Sequence, residues 1–108
     1  MLVAMMMLAL AAPNPRNLDP PRKAYQQCLK AFETKSVAAK MDAAAYGVSV
    51  KAACTGEAAA LTKALTDYDV AMGSKRTAAA ATAASDVADY MLTSHERFSD
   101  MVTPAKAK

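Results

Sequence analysis

Apolar side chains in this chain return at steps of three and four residues, the spacing that keeps them on one face of a helix. No run of Val, Ile or Thr alternates with polar residues, so strands are not expected. Three stripes stand out. Tyr25, Cys28, Leu29 and Phe32 predict a first helix from Pro20 to about Lys35. Arg22, Lys23, Gln26, Lys30 and Glu33 lie mostly off its apolar side. Tyr46, Val50, Cys54, Ala58, Leu61, Leu65, Tyr68 and Met72 predict a second helix over Asp42 to Met72. Ala80, Ala83, Val87, Tyr90, Met91, Phe98 and Met101 predict a third, from Lys75 to about Met101. The fold expected is all-α: two or three antiparallel helices in a hairpin or bundle.

Caps and breakers set the expected ends. Asp19 before Pro20-Pro21 reads as an N-cap, and Asp42 before three alanines as another. Val37 to Met41 is a connection with no glycine to stop the first helix. Gly73-Ser74 is the best break in the second half, with Gly73 in the left-handed position and Ser74 capping the next helix. One unbroken helix from Asp42 past Tyr90 is the alternative. Gly47 and Gly56 interrupt the second helix, and a close neighbouring backbone beside Cys54 is one reason for Gly56.

Composition sharpens the picture. The chain has 108 residues, room for one domain. Hydrophobic residues make up 54%, but much of that is alanine, and aromatics are only 6% with no Trp, so the core is expected to be thin. A thin core is where a covalent staple contributes most. The net charge of +3 is too weak and too dispersed to argue for nucleic acid.

Met1 to Ala12 is apolar and uncharged, too short to span a bilayer, and contains Ala9-Leu10-Ala11, the small-x-small pattern of a signal-peptidase site. The expected organisation is therefore a signal peptide over 1–11, a Pro-rich linker over 12–19, a helical domain over 20–103 and a basic tail over 104–108. The mature product is expected to be periplasmic or secreted, without a transmembrane span.

Two cysteines in an exported chain most often pair, and each of these sits on the apolar stripe of its own helix. A Cys28–Cys54 disulfide is expected. Their spacing suits neither a Cys-x-x-Cys redox motif nor a zinc set.

Other candidate chemistry is sparse. Met91 and His95, one turn apart, are weak candidates for copper. Ser94, His95 and Glu96 are consecutive and point apart on a helix, so they make no triad. No Gly-rich phosphate loop is present. The chain is not expected to be an enzyme or to carry a cofactor. Lys75, Arg76, Lys106 and Lys108 are candidate contacts for anionic lipid or polysaccharide.

The pattern Tyr25-x-x-Cys28-Leu29-Lys30, Ala53-Cys54, Gly73-x-Lys75-Arg76 and Asp86-Val87-x-Asp89-Tyr90 resembles small uncharacterised bacterial exported proteins with two cysteines and helical sequences. The resemblance implies export and a helical fold, and nothing about chemistry. The expected role is a non-enzymatic binding or structural module of the cell envelope, its Ala-rich third helix packing on an envelope partner or a second copy. The alternatives are a weak electrostatic binder of anionic lipid or cell-wall polymer, and a copper-handling protein.

Overall fold

A computed structural model describes residues 14–103. The expected cleavage site, Lys106 and Lys108 lie outside them. The described residues hold a short 3-10 turn, Pro15–Leu18, and four α-helices. These are α1 (Asp19–Ala38), α2 (Ala43–Ala53), α3 (Thr55–Ala71) and α4 (Arg76–Val102). No strand occurs among the described residues.

The architecture is an up-down-up bundle in which α2 and α3 together form the middle arm. The first connection is short, and the Cys28–Cys54 bond sets α2 back along α1. Tyr25 meets Tyr90 while Glu33 meets Ser94 and Arg97, so α1 and α4 point the same way. The arms differ in length. α1 begins about two and a half turns before Cys28, whereas α3 runs more than four turns beyond Cys54. The α3–α4 hairpin therefore outruns α1, and the 3-10 turn, with Leu18 buried, packs on α3 where α1 begins.

Both hairpin stops use one device. At the end of α1 the Lys40 N–H donates to the Val37 carbonyl and the Met41 N–H to the Ser36 carbonyl. At the end of α3 the Gly73 N–H donates to Val70 and the Ser74 N–H to Asp69. Each is a Schellman stop, with the residue after the cap in a positive-φ conformation: Gly73 at 110° and Lys40 at 59°. Gly73 does break the helix. Ser74 does not cap the next one: Lys75 occupies the N-cap position, without a side-chain bond. Asp42 caps as expected, accepting from the Ala45 N–H at 2.8 Å.

The N-terminal expectation changes. Part of the predicted linker is ordered as the 3-10 turn, where Asn14 Oδ1 accepts from the Arg16 N–H at 3.0 Å. Helix α1 then starts at Asp19 itself, with Leu18 in the cap position.

The predicted second helix is divided at Cys54, whose φ of −118° and ψ of 28° leave the helical region. The Thr55 hydroxyl covers two carbonyls freed near the break, Lys51 O at 2.7 Å and Ala52 O at 3.2 Å. Gly56 has open space around it, so no close backbone explains it. The close approach is at Gly47, where an added Cβ would sit 3.2 Å from His95 Cε1.

The core follows the stripes, with shifts. Tyr25, Leu29, Tyr46, Val50, Cys54, Leu61, Val87 and Phe98 form one buried cluster. In α4 the buried alanines are Ala79 and Ala83, while Ala80 faces out. Met72 and Met101, placed on the stripes by spacing, are exposed near the ends of their helices.

Candidate functional site

The chemistry-bearing side chains gather where α1, α2 and α4 meet. Glu33, expected off the apolar side of α1, is buried there, only 4% exposed. Arg97 forks onto it: Nε donates to Oε1 at 2.9 Å and one terminal nitrogen to Oε2 at 2.5 Å. The Ser94 hydroxyl donates to Oε2 at 2.6 Å. That fixes the next bond, because Ser94 has spent its only proton on a carboxylate that can only accept. The Tyr46 hydroxyl, 2.6 Å from Ser94 Oγ, is therefore the donor. The chain runs Tyr46 to Ser94 to Glu33, with Arg97 closing it, and ties three helices, the bonds onto Glu33 being charge-assisted.

The electrostatics fit this arrangement. Burial would raise the Glu33 carboxyl, but hydrogen bonds from Arg97 and Ser94 and the Arg97 charge outweigh it and hold the carboxyl below its ordinary value. The Glu33 hydrogen bond pushes Arg97 up. Burial pushes the Tyr46 hydroxyl up despite its bond to Ser94. Glu33 thus stays ionised and the tyrosine stays protonated at neutral pH. No acid or base is poised for proton transfer in this group.

Aromatic packing surrounds it. Tyr46 stacks on Phe98 with centroids 4.2 Å apart and planes 7° from parallel. Phe32 lies 5.3 Å from Tyr46 on a tilt.

His95 is half-buried beside this stack, and its Nε2 lies 2.8 Å from the Ala43 carbonyl oxygen. A carbonyl only accepts, so Nε2 carries the proton and donates. Nε2 therefore has no lone pair to offer a metal. Met91 packs against the core. No cluster of three His, Cys, Asp or Glu side chains suited to a metal occurs among the described residues.

Cys28 and Cys54 are joined, with Cα atoms 6.0 Å apart. The two sulfurs differ in surroundings: Cys54 is 1% exposed, while Cys28 is half-buried in a shallow depression.

The expected anion contacts separate. Arg76 reaches Asp67 across the α3–α4 turn at 3.3 Å, and Lys63 holds the same carboxylate at 2.6 Å. Those two hydrogen bonds keep the Asp67 carboxyl below its ordinary value. Lys75 is exposed.

The Ala-rich start of α4 does find cover within the chain: Ala79 and Ala83 are buried, and α4 packs along α3. A groove of about 540 Å³ separates α1 from α4, with Lys23 and Lys30 on one wall and Asp86 and Asp89 on the other. No described helix is long and apolar enough to cross a membrane.

Spacing placed Cys28, Cys54, Tyr46 and Phe98 correctly on their stripes. It passed over Glu33 and Ser94, although Glu33 follows Leu29 by four residues and Ser94 precedes Phe98 by four. Searches with this chain found no matching family model, curated protein or solved structure.

Proposed function

We propose that the chain is an exported, non-enzymatic binding or structural module of the cell envelope. The observation that carries this reading is the Cys28–Cys54 bond within an all-α bundle, since disulfides persist in oxidising compartments. The site chemistry supports the non-enzymatic part. Glu33, Ser94, Arg97 and Tyr46 bond one another, and His95 spends its proton on a backbone carbonyl. The surface left for a partner includes the α1–α4 groove and the exposed Val48, Leu92 and Met72.

The test is recovery of the tagged chain from its native envelope, with alkylation before and after reduction and chemical cross-linking in place. The expected result is an oxidised chain in the periplasmic or secreted fraction, cross-linked to an envelope protein or to a second copy. A free-thiol chain confined to the cytosol, with no cross-linked species, would contradict the proposal.

Exposed Lys75 supports the weaker electrostatic reading. That reading requires sedimentation with anionic vesicles that disappears on adding salt, whereas salt-resistant sedimentation counts against it. Copper handling has less support, because Nε2 of His95 is committed to Ala43.

A further inference from the structure

The two halves of the disulfide are not equivalent. Cys54 lies in the core cluster with Tyr46, Val50 and Leu61, out of reach of solvent. Cys28 opens onto a depression floored by small side chains, Ala24, Ala31 and Ala53, with Lys35 and Glu57 also lining it. Thiol–disulfide exchange needs a thiolate to reach one sulfur while the other departs, and access decides which sulfur is attacked. We infer that Cys28 is a site of thiol–disulfide exchange in the folded protein, modified by a low-molecular-weight thiol while Cys54 serves as the leaving group.

The step balances. The thiolate attacks Cys28 Sγ, a new S–S bond forms between them, and the Cys28–Cys54 bond breaks. Cys54 leaves as a thiolate and gains the proton that the attacking thiol lost on ionising, so the step is neutral overall. A second thiol can then attack the mixed disulfide, leaving Cys28 as a thiol and the small thiol oxidised to its own disulfide. Freed in this way, the Cys28 thiol has an acceptor 3.8 Å away in the Ala53 carbonyl.

Exchange in the folded state also needs something to keep α1 in place once the cross-link opens. Glu33 supplies it, held by Ser94 and Arg97 of α4 without help from the disulfide. Modification at Cys28 thus removes the covalent link between α1 and the middle arm and leaves the packing of Tyr25, Leu29 and Phe32 and the link to α4. This inference does not depend on the envelope reading, since it follows from the position of the two sulfurs.

The experiment treats the native oxidised chain with excess reduced glutathione, quenches with acid and maps the adduct by peptide mass spectrometry. The expected adduct is on Cys28, at least about tenfold over Cys54, with a rate that does not track global unfolding in denaturant. Comparable labelling of Cys54, or reaction only in step with unfolding, would overturn the inference. Lys35→Glu provides a second readout: the rate with glutathione should fall severalfold at low salt and recover at high salt. An unchanged rate at low salt would remove the depression as the path of approach.

Discussion

The two ends of this bundle are held by different means. Where α1, α2 and α4 meet, bulky rings, an ion pair with a buried carboxylate and a nearby covalent bond converge on a few residues. At the far end, where α3 and α4 outrun α1, residues 71–78 are all exposed. The inward-facing groups there are Thr66, which bonds back to the Thr62 carbonyl, and Ala79. Asp67 holds Lys63 and Arg76 across the turn, but on the solvent side, where ion pairs contribute little. Alanine lets helices approach closely yet buries little area. One end is thus fixed by specific contacts, and the other by helix propensity and close approach.

That contrast can be broken at several points. Phe98→Ala removes the ring stacked on Tyr46 and should cost about 3–5 kcal/mol in a denaturant titration. Reducing the disulfide should cost about 3–4 kcal/mol for a loop of this length, lowering the melting temperature while leaving a helical spectrum. Glu33→Ala leaves Ser94 and Arg97 short of a partner. Because Arg97 is half-exposed, the expected cost is about 2–3 kcal/mol, below that of a fully buried pair.

The same carboxylate predicts a pH dependence. Its folded pKa lies below its unfolded value, so its contribution is fully present above the unfolded pKa. That contribution is lost as pH falls through the lowered folded value. Chemical denaturation across the acid range should show the loss in the native chain and a shallower loss in Glu33→Gln.

Ala79→Gly, at the outer end, should cost about 1 kcal/mol, the difference in helix propensity. Lys40→Gly should gain up to about 1 kcal/mol by relieving a left-handed backbone at a residue with a Cβ.

Lys40 also shows where the sequence was legible and where it was not. The stop at Gly73 could be read because glycine marks a positive φ. The matching stop at Lys40 has the same hydrogen bonds but a side chain that gives no such signal. The cysteine pair was legible because both residues fell on apolar stripes in a chain with no other thiol. The break at Cys54 was not, because no proline marks it and Gly56 lies within α3. Glu33 and Ser94 were missed for a related reason. Periodicity sorts residues by polarity, and a polar group paired across helices occupies a core position while reading as surface. In the sequence Ser94 stands beside His95 and Glu96, whereas its partners lie 61 and 48 residues away in the chain.

The difference between the ends is most directly measured by native-state amide hydrogen exchange on the oxidised protein, comparing residues 91–98 with residues 66–82. Locking at one end predicts slow exchange around Ser94 and Phe98, approaching the rate of global unfolding. Around Gly73 it predicts exchange faster by at least about a hundredfold, through local opening. Equal protection at the two ends, or greater protection around Gly73, would contradict it.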